Sequence, residues 1–344
     1  VVMIVLLLRG YGLYALVIVN ALVGIAVIAI KLLYLKKEAP IHVDWSYWDK
    51  GLLKEIFSFS VWATVITIAQ NMIFNIMPTI LGIKSNTIEI SKFTAASTIE
   101  GYVYTFTSVI SGMFMPRMAR MIYKNEQNEL ASAKEITDLM IKVGRIQLVI
   151  VGAIISIFIA LGKEFVWLWL GEGFEGTYGT ILLMIIPTAV IAVQGIAETF
   201  VSVTGKIQYS AYGTAITAVC AVVGAFLCSV KGGAIGAGIG VCIGNTLGRI
   251  VVMDIFYLKQ FKLDMFRFYV ECFGKMLWTI IAACLITIGI QYVVGTEGWI
   301  LFFIKGMISA VIYCILIWFG ALNVQEKELM TQPLKVLSRK MKRK

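Results

Sequence analysis

The chain has 344 residues, 59% of them hydrophobic and only 15% charged, with a mean hydropathy of +0.87. A soluble domain carries about 45–50% apolar and about 25% charged residues, so the composition excludes an ordinary water-soluble enzyme and a disordered chain. It points to a polytopic membrane protein, whose net charge of +10 reads first as cytoplasmic loops and only then as nucleic-acid binding.

The chain opens inside an apolar run, Val1 to Leu8, without the charged segment or cleavage site of a signal peptide. That run reads as the end of a helix begun upstream, which makes the chain a fragment lacking earlier spans. Nine apolar runs long enough to cross a membrane are predicted, at about 11–34, 58–83, 93–117, 143–162, 180–203, 208–230, 234–257, 276–295 and 298–321. The connecting segments alternate in charge. One set (31–57, 118–142, 204–207, 258–275 and the tail 322–344) carries most of the loop lysines and arginines, and the other set carries few. The positive-inside bias puts the first set and the C-terminus in the cytoplasm. Within it, Trp45, Trp48, Leu52, Leu53 and Ile56 mark an amphipathic stretch lying on the inner surface. Residues 118–142 read as a solvated helical arm. The basic end from Arg339 to Lys344 reads as a topology signal or a contact for anionic lipid.

Much chemistry is missing. His42 is the sole histidine, and no Cys/His pair has zinc spacing. Cys220, Cys228, Cys242, Cys272, Cys284 and Cys314 lie in or beside spans and read as small buried hydrophobes rather than a disulfide framework. No phosphate-binding GxxxxGK[ST] loop and no Gly-x-Ser-x-Gly elbow is present. Gly236-Ala237-Gly238-Ile239-Gly240 lies inside an apolar span, away from any strand a dinucleotide site would need. No catalytic residue, metal or cofactor is expected.

Three patterns carry information. Gly232, Gly236, Gly240, Gly244 and Gly248 form a ladder with a step of four, which puts a small-residue stripe on one helix face against a close partner helix. Ser60, Thr64, Thr67, Asn71, Asn75 and Pro78 share one face of their span; Ser97, Glu100, Tyr104, Thr107 and Ser111 share one face of the next. Polar faces are costly against lipid, so both should look onto a cavity or onto protein. Finally, Glu100, Glu198, Arg249, Asp254 and Lys305 are ionisable groups inside spans. Asp254 and Lys305 are near enough to helix ends to snorkel. Arg249 either pairs with Glu198 or meets an anionic head group.

Residues 165–187 (FVWLWLGEGFEGTYGTILLMIIP), 205–244 with KGGAIGAG at the turn, and FMPRMARMIYKNEQ earlier in the chain resemble bacterial polysaccharide (O-antigen) flippases. These belong to the MATE-related superfamily of multidrug, oligosaccharidyl-lipid and polysaccharide exporters. The resemblance implies an all-α integral membrane bundle of MATE-like, two-lobe design with the N-terminal lobe mostly absent. Residues 1–34 would end that lobe, 35–57 link, 58–257 form the C-terminal six-helix lobe, 258–321 add two helices, and 322–344 form a basic cytoplasmic tail. It implies a transporter, not an enzyme, in the bacterial cytoplasmic membrane. Such a protein moves a polyprenyl-diphosphate-linked oligosaccharide by alternating access for surface polysaccharide synthesis.

Thr64, Thr67, Asn71, Asn75 and Tyr104 would then bond glycan, while Arg117, Arg120 and Arg249 attract diphosphate. Glu100 and Glu198 would couple an ion. Partners would be the lipid-linked oligosaccharide, membrane lipids, and a polysaccharide polymerase with its chain-length machinery, but no nucleic acid. The alternatives are a MATE-type drug/cation antiporter or a lipid II-type flippase. A membrane-embedded polymerase or acyltransferase is disfavoured by short outer loops and the lone His42.

Overall fold

A computed structural model of the chain describes residues 12–38, 48–124, 129–295, 298–323 and 326–327. The expectations for Val1 to Leu8, His42, Trp45 and the basic end lie outside these residues. Every regular element among the described residues is helical, and they fall into two compact units, 1–55 and 56–344.

The first unit holds α1 (Gly12–Glu38), whose residues from Val17 to Leu35 are apolar apart from Asn20, Lys31 and Tyr34 and almost entirely exposed, as suits a helix surrounded by lipid. It also holds the start of α2 (Lys50–Lys84), where the Gly51 N–H donates to the Asp49 carboxylate at 2.7 Å.

The second unit continues α2 and adds α3 (Thr87–Gly112), α4 (Met115–Lys124), α5 (Glu129–Leu170), α6 (Gly176–Val193), α7 (Gly195–Val203) and α8 (Gln208–Gly244). A π-helical segment, Asn245–Val252, leads into α9 (Met253–Lys259), followed by α10 (Met265–Val294) and α11 (Gly298–Gly320). Seven segments among the described residues are long and apolar enough to span a membrane, so the protein is an all-α, multi-pass membrane protein. One of the seven, Gln208–Lys259, is a hairpin. It reverses at Gly233, whose φ of 51° and ψ of −129° suit glycine. Thr87–Gly112 is long enough to span, but its polar residues keep it out of the apolar set.

The glycine ladder is the seam of that hairpin. A methyl group at Gly236 would strike the Cys228 carbonyl, one at Gly240 the backbone of Ala225 and Ala221, one at Gly244 the Thr217 carbonyl, and one at Gly248 the Gly213 carbonyl. The pairing runs antiparallel, backbone on backbone, as small residues permit. Gly232 stands in open space and is not part of it. The turn is fixed from outside: the Ala234 N–H donates to the Glu89 carboxylate at 2.7 Å, which satisfies one of the open donors at a helix start.

Two expectations are corrected. Within the stretch expected to be a solvated arm, residues 129–142 are packed instead. α5 begins at Glu129, and Ala133, Ile136, Leu139, Met140 and Val143 are buried in one core with Met118 and Phe268. Lys134, Asp138 and Lys142 occupy the opposite, exposed face; the charges hid an amphipathic helix. Lys305 does not snorkel either. It is fully buried and paired with Glu164. α5 holds α11 along its whole length: through Glu164 on Lys305, through the Val149 carbonyl accepting from Tyr313 at 2.7 Å, and through Arg145 donating to the Ala321 carbonyl at 2.7 Å and to Glu326.

Candidate functional site

α3, α7 and the π-helical segment bring ionisable groups together inside the bundle, with Thr188 of α6 beside them. Arg249 lies in the widened π turn, a distortion frequent at functional sites. Its Nη2 donates to both oxygens of Glu198 at 3.0 Å and to the Tyr104 hydroxyl at 3.2 Å, and the guanidinium lies 5.0 Å from the Tyr104 ring centroid. Glu100 is 6% exposed; its Oε1 accepts from Thr188 at 2.7 Å and its Oε2 has no partner among the described residues. Asp254, expected at the membrane edge, is half-buried and accepts from Gln194 at 2.9 Å and from the Tyr269 hydroxyl at 2.7 Å.

Two cavities flank this network. One of about 310 Å³ lies between α3 and α7, lined by Tyr104, Thr107, Ser111, Glu198, Thr199 and Ser202 among others. The other, of about 140 Å³, is lined by Phe74, Glu100, Tyr104, Thr214, Asn245 and Arg249 among others. Tyr104 borders both, and the Glu198–Arg249 pair has one member on each.

The two polar stripes do not face the same space. On α3, Glu100, Thr107 and Ser111 turn into the bundle, where Gln147 of α5 donates to the Thr107 carbonyl at 2.9 Å and the Ser111 hydroxyl at 2.8 Å. On α2, Thr64, Thr67, Asn71 and Asn75 are exposed. They bond within their own helix: Thr64 to the Ser60 carbonyl at 2.8 Å, Thr67 to the Ala63 carbonyl at 2.9 Å, Asn71 to the Thr67 carbonyl at 2.9 Å and Asn75 to the Asn71 side chain at 2.7 Å. Tyr104, Glu198 and Arg249 are brought together. Arg117 and Arg120 are exposed on α4 and make no ion pair among the described residues.

Sequence reasoning missed a second outward stripe on α3, Ser91, Thr94, Thr98, Thr105 and Ser108, although its steps of three, four and seven were there to find. It also missed Asn245, one helical turn before Arg249.

A family model described as polysaccharide biosynthesis protein matches residues 1–179, about half the chain. The chain belongs to this family. The match takes in α2 and α3 with Glu100 and Tyr104, while Glu198, Asn245 and Arg249 lie beyond it. Searches of curated proteins and of solved structures find no match.

Proposed function

We propose that the protein is a flippase that carries a polyprenyl-diphosphate-linked oligosaccharide across the bacterial cytoplasmic membrane by alternating access. The observation that carries this reading is the pair of cavities beside the Glu198–Arg249 pair, in a polysaccharide biosynthesis family member. Ionisable groups inside a membrane are expensive and mark substrate or ion paths.

In this reading residues 58–257 are the C-terminal lobe of a MATE-like transporter, 258–321 two additional helices, 35–57 a linker on the cytoplasmic surface and 322–344 a cytoplasmic tail. The exposed faces of α2 and α3 form a wall of the glycan path, with Thr64, Thr67, Asn71, Asn75 and Tyr104 offering hydrogen bonds. Arg117 and Arg120 are free to meet diphosphate at the inner mouth. Glu198 is committed to Arg249, so ion coupling falls on Glu100 when no substrate occupies the cavity. A polymerase and its chain-length machinery would take the product.

The excess of carboxylates over cations in the network (Glu100, Glu198 and Asp254 against Arg249) favours, as a second reading, a drug/cation antiporter of the same fold. Complementation separates the two. In a strain lacking the gene, the full-length protein restores surface polysaccharide, and Asn71→Leu and Glu100→Gln at matched expression do not. Normal surface polysaccharide with both variants would remove these faces from the path. Changed drug resistance without a polysaccharide defect would favour the antiporter.

A further inference from the structure

We propose that the 140 Å³ cavity between α2, α3, α8 and the π-helical segment is a subsite for one pyranose ring of a neutral glycan. The inference rests on the transport reading and specifies which part of the substrate the C-terminal lobe grips.

Size comes first. A dry cavity of about 150 Å³ holds benzene, so this one holds a six-membered ring with its exocyclic groups turned to the opening. Polarity then decides what kind of ring. Asn245 is 6% exposed, lines the cavity, and its amide makes no hydrogen bond among the described residues. Glu100 is equally buried and its Oε2 has no partner among the described residues. A buried polar atom without a partner, such as Glu100 Oε2, is costly, and with the unbonded Asn245 amide on the same small cavity it points to a ligand that supplies partners for both.

The open groups are of mixed sign. Glu100 Oε2 only accepts. Among the described residues the Arg249 hydrogen bonds all leave from Nη2, so Nε and Nη1 remain there as donors. The Asn245 amide does both. The Thr214 hydroxyl already donates to the Ser210 carbonyl at 2.8 Å and is left as an acceptor. An anion on this cavity would face Glu100, and a cation would face Arg249. Sugar hydroxyls, which donate and accept at once, suit both. Phe74, 43% exposed, and Tyr104 add flat aromatic surface for the C–H face of a sugar ring. When the sugar leaves, Glu100 Oε2 is free for the coupling ion.

The test is saturation-transfer NMR on the full-length protein in lipid nanodiscs, with methyl α-glucopyranoside, methyl α-galactopyranoside and methyl N-acetylglucosaminide as probes and sodium chloride as the competing ligand. The wild type should transfer saturation to the ring protons of at least one glycoside. Phe74→Ala and Asn245→Leu should each weaken that transfer at least fivefold. Phe74 is half-exposed, so its truncation leaves the fold intact and decides the matter should Asn245→Leu fail to fold. Transfer unchanged in Phe74→Ala overturns the proposal. So does a sodium-induced rise in melting temperature, lost in Glu100→Gln, in a protein that binds no glycoside. If no glycoside binds while the gene still restores export, the subsite falls and the transport reading stands. If glycosides bind in the expected pattern while export is independent of the gene, the transport reading falls and the subsite stands.

Discussion

Lys305 of α11 and Glu164 of α5 meet at 2.5 Å with side chains 0% and 2% exposed, and the ammonium also donates to the Gly295 carbonyl at 2.6 Å. The pair pins one end of α11 to α5, the longest helix among the described residues. Removing one member leaves the other buried and charged, which typically costs about 3–5 kcal/mol, whereas replacing both by apolar groups is often neutral. Lys305→Met should therefore lower the melting temperature sharply in detergent, since Glu164 Oε1 already lacks a partner among the described residues. Adding Glu164→Leu should recover most of the loss. A double variant no more stable than the single would show that the pair is not the pin.

The hairpin seam predicts a contrast between glycines. Gly240→Ala and Gly244→Ala put a methyl group onto the facing backbone of Ala225, Ala221 and Thr217, and overpacking typically costs about 1–3 kcal/mol. Gly232→Ala meets nothing within 4 Å and gains helix propensity, so it should be neutral or slightly stabilising. Thermal unfolding of the three variants side by side checks the order. Equal melting temperatures would refute a backbone-on-backbone seam.

The glycine seam was legible because a step of four on a helix has one geometric meaning. The same holds for the polar faces, whereas Glu198 stood as only one of two partners for Arg249, because no period links residues 51 apart. What periodicity does not encode is which neighbour a face meets. The α2 stripe and the inner α3 stripe look alike in sequence, yet one is exposed and the other closes on Gln147 of α5, 36 residues from its partner Ser111. Asn245 was invisible for the same reason: one amide in a glycine-rich span has no period. The burial of residues 129–142 was masked by Lys134, Asp138 and Lys142, whose shared exposed face is itself a helical signal that composition alone obscures.

Glu326, just past α11, should make stability depend on acid. Burial pushes its carboxyl up, but hydrogen bonds from Arg145 and from the Asn323 N–H outweigh that and hold it below the usual carboxylate range. A carboxylate lowered on folding contributes stability above its unfolded value, about 4.3 for glutamate, and loses it as pH falls through the lowered folded value. Glu326→Gln should thus melt below the wild type at neutral pH, and the gap should narrow once the pH drops under about 4. A gap unchanged across that range would mean Glu326 does not hold Arg145 in the charged pair.

Orientation follows from loop charge alone and is checked by labelling. In a background without the six native cysteines, Ile88→Cys and Glu172→Cys, at exposed positions in cation-poor connections, should react with an impermeant thiol reagent added to intact cells. Lys124→Cys and Lys262→Cys should react only after the membrane is opened. The reverse pattern would invert the protein, and mixed labelling within a set would break the count of spans.

Arg249 should separate transport from folding. Arg249→Leu leaves Glu198 without its cation and should lower both folded yield and export. Arg249→Leu combined with Glu198→Leu should restore folded yield, because neither member of the pair is left without the other, yet not export, because the larger cavity then has no charged wall and the smaller keeps only Glu100. Arg249→Lys should also export poorly: a single ammonium on a flexible stem does not reproduce a planar group bonded to Glu198 while lying near the Tyr104 ring. Tyr104→Phe keeps the ring 5.0 Å from the guanidinium and loses one hydrogen bond of 3.2 Å, worth about 0.5–1.5 kcal/mol, so it should retain part of the activity, and Tyr104→Ala should not. Surface polysaccharide in the complemented strain, measured at matched expression and set against gel-filtration profiles of the purified variants, reads both quantities. Wild-type export by the Arg249→Leu, Glu198→Leu double variant would reduce the pair to a packing element and move the transport path elsewhere in the bundle.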